Sequence, residues 1–134
     1  MTRISDRFLQ LGVIAALIGM SLGVFMGAKA DFTLAPAHAH LNLVGWASMM
    51  IYGLFYRVFP TAGRGWLATS QFWLATVGLI VMIPSLALML LGNRAAAAGV
   101  IAGALLTLVS MACFAAVVFG ATRAKAETKT AAAA

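Results

Sequence analysis

The sequence predicts an all-α fold: an integral membrane bundle of four helices with both termini on the cytoplasmic side. Three observations carry this expectation. Of the 134 residues, 63% are hydrophobic and 9% charged, whereas a water-soluble domain holds roughly 25% charged residues. Four largely apolar runs, at 8–28, 38–58, 67–91 and 95–120, each reach the roughly 20 residues that a helix needs to cross a bilayer. The basic residues also alternate between connections. Arg3 and Arg7 precede the first run, Arg57 and Arg64 lie at the junction of the second and third, and Arg123, Lys125 and Lys129 follow the fourth. The other two connections hold only Lys29 and Arg94. Lys/Arg enrichment marks the cytoplasmic face, so the net charge of +6 is a topology signal. Residues 1–122 then form one membrane domain and 123–134 a cytoplasmic tail. No basic soluble domain remains to bind nucleic acid. The expected location is the inner (plasma) membrane of a bacterium.

The first helix carries Gly12, Ala16, Gly19, Gly23 and Gly27 at three- and four-residue spacing. Such a stripe lets another helix approach closely, in the same chain or in a second subunit. Its end, "AKA" before Asp31, imitates a secretory cleavage site, but the apolar run is longer than a signal peptide's roughly 7–15 residues. It is expected to be a retained span. The second helix opens at Pro36, which suits a first turn. The third is interrupted by Pro84, about 10 Å below its outer end at helical rise. A proline there either widens the bundle beside the second helix or is simply tolerated. Tyr56, Arg57 and Trp66 fall where interfacial anchors belong. Trp46 and Trp73 lie deeper, to pack on a flat ligand or to fill volume. The fourth helix has a weaker small-residue stripe in Ala95, Gly99 and Gly103, and its Cys113, the chain's one cysteine, reads as a packed side chain.

The chain's two histidines, His38 and His40, sit together in "APAHAHLNLVGW", residues 35–46. Two residues along a helix is a rotation of about 200°, so the rings face nearly opposite sides and cannot chelate one metal together. On the His38 side lie Asn42, Gly45, Met49, Gly53 and Tyr56. On the His40 side lie Leu43, Val44, Ala47, Ile51, Leu54 and Val58, all apolar. An imidazole on an apolar face at membrane depth needs a partner. A haem iron meets that need, taking one ring nitrogen's lone pair while the macrocycle covers the apolar surroundings. The plain alternative is a pair of histidines meeting water and headgroups at the interface.

The stretch "AHAHLNLVGWASMMIYGLFYRVFP", residues 37–60, resembles the haem-bearing H-x-H helix of the haem-copper oxidase subunit I family. The likeness extends to Gly53, Phe55, Phe59 and Pro60. That subunit is built of repeated four-helix arcs with the H-x-H helix second in its arc, so the chain looks like one arc standing alone. The resemblance implies that His38 corresponds to the high-spin haem ligand and His40 to the low-spin ligand. Oxygen reduction in that family needs further copper-binding histidines and a cross-linked tyrosine. This chain has no third histidine, and Tyr52 and Tyr56 do not fall at the family's spacing. A complete oxygen-reductase centre is therefore not expected.

The function expected is a small membrane cytochrome with haem near the outer leaflet, serving electron transfer or haem or gas binding. His38, His40, Asn42 and Trp46 are the candidate cofactor-binding residues, and the two histidines the candidate iron ligands. The haem is expected to be b-type, because no C-x-x-C-H is present. The expected partners are the lipid bilayer, a redox donor or acceptor, and further copies of the chain, which would supply a second axial histidine. Two other classes fit the same residues. One is copper or zinc handling, with Met20 or Met26 adding thioether. The other is a cofactor-free assembly or accessory subunit. Transport is disfavoured, since Asp6, Asp31 and Glu127 all lie outside the apolar runs.

Overall fold

The computed structural model describes residues 3–133, with side chains through Arg123. Helix α1 (Ile4–Lys29) holds Asp6 in its first turn and Lys29 in its last, each at the end where the helix dipole favours that charge. It closes with Ala30 in the left-handed region, φ 51°. There the Ala30 N–H donates to the Gly27 carbonyl and the Asp31 N–H to the Met26 carbonyl, both at 3.2 Å, the two bonds of a Schellman end. In the loop that follows, the Thr33 hydroxyl and backbone N–H donate to Asp31 Oδ1 at 2.7 and 3.0 Å. Those bonds, the hydroxyl's first, hold the Asp31 carboxyl below its ordinary value.

Helix α2 runs over residues 35–58 in three joined parts. They are an α-helical start (Ala35–His40), a π-helical middle (Leu41–Ala47) and an α-helical end (Ser48–Val58). The wider middle begins directly after His40. At its close the Ser48 N–H reaches back five residues to the Leu43 carbonyl, and the Ser48 hydroxyl donates to the same oxygen at 2.9 Å. Helix α3 (Trp66–Leu90) follows a short 3₁₀ turn, Ala62–Arg64. It stays helical across Pro84, whose side chain is exposed. The proline is tolerated in place and does not pack toward the histidines.

Gly92, at φ 101°, reverses the chain after α3, and Asn93 Oδ1 accepts the Ala95 N–H at 3.2 Å. Helix α4 (Ala97–Ala133) then continues well past 120, where the sequence predicts a tail. The extension has a local cause: residues 121–133 contain no glycine or proline, and nearly half are Ala, with Lys, Arg and a Glu among the rest, all strong helix formers.

The chain is helical with no strand among the described residues. Among the described residues, three helices are long and apolar enough to cross a membrane: Ile4–Lys29, Trp66–Leu90 and Arg94–Arg123. Helix α2 is of similar length but divided by its π segment. The most extensive packing joins α3 to α4, and the next joins α1 to α2. In the first pair, Gly103 lies so close to α3 that an added Cβ would stand 2.6 Å from the Met82 backbone nitrogen.

The two pairs meet mainly through aromatic rings at the end that bears Arg3, Arg7, Arg57, Arg64 and Arg123, here called the basic end. Phe8 stands edge-on to Tyr52 and Phe72, with ring centres 5.3 and 5.0 Å away, and Tyr52 packs on Phe114 at 4.6 Å. One polar chain threads this core. The Tyr56 hydroxyl donates to Gln71 Oε1 at 2.7 Å, the Ser110 hydroxyl donates to the Gln71 carbonyl at 3.0 Å, and Gln71 Nε2 is buried without a partner.

The outside is as apolar as the inside. Leu17, Val24, Phe25, Leu105, Leu108 and Phe119 are all exposed. Water would penalise so continuous an apolar surface, whereas lipid tails match it. Trp46, Trp66 and Trp73 belong to this exterior, so none of the tryptophans fills the core.

Candidate functional site

The two histidines occupy opposite kinds of environment. His38 is half-buried and faces α1. Its Nδ1 lies 2.9 Å from the Gly19 carbonyl oxygen. A carbonyl only accepts, so Nδ1 carries the proton and Nε2 the lone pair. Asn42, one turn on, donates to the His38 carbonyl at 2.9 Å. Its amide nitrogen also stands 3.3 Å from His38 Nδ1 and 3.5 Å from Nε2, so it lies against the ring between the two nitrogens.

The glycine stripe of α1 explains how this fits. A Cβ at Gly19 would stand 2.7 Å from Asn42 Nδ2, and one at Gly23 would stand 3.0 Å from His38 Cε1. A Cβ at Gly12 would meet Met50 Sδ at 3.0 Å. The stripe therefore faces α2 of the same chain, and its missing side chains are the room that His38 and Asn42 occupy. Gly27, the last of the series, has nothing within 4 Å of an added Cβ. Farther along α2, Gly45, Met49, Gly53 and Tyr56 are buried, so the side that helical spacing groups with His38 is the packed side.

His40 is exposed. Its Nδ1 lies 2.8 Å from the Pro36 carbonyl, one turn back, so the same argument protonates Nδ1 and leaves the lone pair on Nε2. Proline at position 36 keeps its carbonyl available to the ring four residues on, in a first turn where the missing N–H costs nothing. No described residue bonds His40 Nε2. Along the rest of α2, Leu43, Trp46, Ile51, Leu54 and Val58 are exposed, while Val44 and Ala47 are half-buried. Val44 packs toward the core and, with Ser48 and Tyr52, walls a small groove against Ala104, Thr107 and Met111 of α4.

Chemically, His40 is an imidazole whose orientation and Nδ1–H are held by a backbone carbonyl, with its Nε2 left without a bonding partner among the described residues on an apolar face. A carbonyl holding the far N–H is the arrangement that steadies metal-bound histidines. This fits an axial ligand to a flat apolar cofactor such as haem. His38 makes the same kind of bond but is half-buried against α1, with the Asn42 amide against its ring. Among the described residues, no three His, Cys, Asp or Glu side chains gather as a metal-binding group. Of the methionines considered beside the histidines, Met26 is buried and Met20 is exposed on α1.

Sequence reasoning named both histidines and Asn42 but not their partners. The Gly19 and Pro36 carbonyls are main-chain atoms, invisible in residue identity. The one signal that pointed at them was the glycine stripe, whose spacing marks close approach without saying by what. The π-helical segment left no mark in the pattern at all. No family model, no curated protein and no solved structure matches this chain.

Proposed function

We propose that the protein is a small four-span membrane haem protein in which His40 supplies an axial ligand to a b-type haem on the exposed face of α2. The observation that carries this reading is the state of the His40 ring: Nδ1 committed to the Pro36 carbonyl at 2.8 Å and Nε2 free on an apolar surface. When bound, a haem supplies a redox-active iron or, with an open position, a gas-binding one. The chain's own part is to present one fixed lone pair and to cover the macrocycle with apolar side chains, the exposed Leu43 and Trp46 among the candidates. The likeness of residues 37–60 to the H-x-H helix of the oxidase family supports the same assignment.

His38 and Asn42 act in this reading as positioning residues, clamping α2 onto the Gly19–Gly23 segment of α1. His38 serves as a second ligand, as the resemblance implies, where its ring leaves Gly19. One chain offers one outward histidine, so a fully ligated iron calls for a second copy or another ligand, and electron transfer to a separate redox partner follows from that state. The basic end faces the bacterial cytoplasm in this arrangement, with the histidines near the outer leaflet.

The test is the visible spectrum of the protein purified from haem-replete cells, oxidised and dithionite-reduced, with pyridine extraction to identify the haem. A Soret band with sharp reduced α and β bands is expected, abolished in His40→Ala. His38→Ala is expected to retain haem while lowering thermal stability. A featureless spectrum would sink the haem reading, and a signal lost only in His38→Ala would move the ligand to the other face. A cofactor-free accessory role is favoured by one observation, the fit of His38 into the glycine stripe. It predicts that the double histidine-to-alanine variant changes stability with no optical signal to lose.

A further inference from the structure

The basic end holds a cleft of about 530 Å³ that the histidine site does not involve, lined in part by Arg3, Ile4, Ser5, Tyr56, Gly63 and Arg64. Its two arginines come from opposite parts of the chain. Arg3 immediately precedes α1, and Arg64 closes the 3₁₀ turn after α2. Gly63 brings them together: a Cβ there would stand 2.9 Å from Ile4 Cγ2 and 3.3 Å from Tyr56 Cδ1, so the turn rests directly on the first residue of α1.

No described carboxylate balances this pair. The chain has three acidic residues. Asp6 is taken by Arg57 at 2.8 Å, Asp31 lies in the loop at the opposite end, and Glu127 is outside the described side chains. Arginine's planar fork suits phosphate oxygens. The start of α1 adds to the site, because its cap has no side-chain acceptor for the first amides.

A second cleft of about 580 Å³ adjoins the first across Pro60. It is apolar, with Val58, Phe59, Leu67, Val117 and Gly120 among its walls. A cationic cleft beside an apolar one fits an amphiphile with an anionic head better than a free anion, which would use only the first.

We propose that the Arg3–Arg64 cleft binds the phosphate of an anionic phospholipid, with an acyl chain lying along the neighbouring apolar cleft. Basic pockets between helices on the cytoplasmic side take such headgroups. The inference requires membrane embedding and is independent of haem, so either can fail without the other.

The experiment follows the thermal unfolding midpoint of the full-length protein in uncharged detergent. Phosphatidylglycerol, phosphatidylcholine and inorganic phosphate are titrated in separate arms. Phosphatidylglycerol is expected to raise the midpoint saturably and the other two to leave it unchanged. Arg3→Gln and Arg64→Gln should each weaken the apparent affinity roughly fivefold. Arg123→Gln removes one charge from the same end outside the cleft, and should leave the affinity within about twofold. If Arg123→Gln weakens it as much as the cleft variants, the attraction is diffuse and the site is overturned. If inorganic phosphate stabilises as well as the lipid does, the acyl part of the proposal falls. Should the arginine variants fail to fold, Ala116→Trp decides instead: this exposed alanine lines the apolar cleft, and filling it must weaken phosphatidylglycerol binding or the proposal is wrong.

Discussion

His38 and His40 show how far two residues of one type can differ when a helix turns them apart. Each ring donates through Nδ1 to a main-chain carbonyl, but His38 is half-buried against α1 while His40 is exposed. Replacing Gly19 by alanine drives a methyl into Asn42 and should cost about 1–3 kcal/mol, read as a lower unfolding midpoint in detergent. If the stripe faced only lipid, the same change would be neutral. Ala30 offers the opposite test. It sits at φ 51°, a conformation that costs a side-chain-bearing residue about 1–2 kcal/mol, so Ala30→Gly is expected to stabilise by about 0.5–1 kcal/mol after the extra unfolded-state freedom is subtracted. Asp31 gives a pH dependence of known sign. Its carboxyl is held low by Thr33, so the turn gains stability above the unfolded value and loses it as pH falls through the folded one. In Thr33→Val the main bond is gone, and carboxyl titration by NMR should show the Asp31 value moving up toward that of a free aspartate.

The elements show the same division between pattern and contact. The sequence places all the long helices within a few residues, because apolar runs of bilayer length leave little else for the chain to do. Three limits moved: α1 begins at Ile4, α2 begins at Ala35, as Pro36 permits, and α4 runs on through residues that favour helix. The π segment at Leu41–Ala47 was not legible. It depends on which carbonyl each N–H selects, and that choice is made against the neighbouring helix, where Gly45 lies on Ala15 and Leu79. Between elements, the Tyr56–Gln71 bond is the clearest target. Tyr56→Phe leaves both ends of the Gln71 amide unpaired and should destabilise by about 1 kcal/mol. The double variant Tyr56→Phe, Gln71→Leu removes both partners and should recover most of that loss in the same unfolding assay.

At the scale of the molecule, the proposed topology sets the basic end in the cytoplasm. Single cysteines in a Cys113→Ser background test it. In intact cells, a cysteine at Thr33 should react with a membrane-impermeant thiol reagent, and one at Thr61 should react only after lysis. The reverse pattern would invert the orientation and put the histidines on the inner side. Composition, the length of the apolar runs and the placement of Lys and Arg along the chain determined that it is helical, largely apolar and charged chiefly at one end, because those properties are read along the chain and need no partner. The rotation per residue of a helix alone also determined that His38 and His40 diverge. Tertiary structure decided the rest: that the glycine stripe faces α2 of the same chain, that His38 is clamped while His40 is free, and that Arg3 and Arg64 share a cleft. Each of these depends on which surfaces meet across the bundle. In a lipid setting that choice rests on close packing and backbone hydrogen bonds, which residue identity records only as an absence, the missing side chain of a glycine.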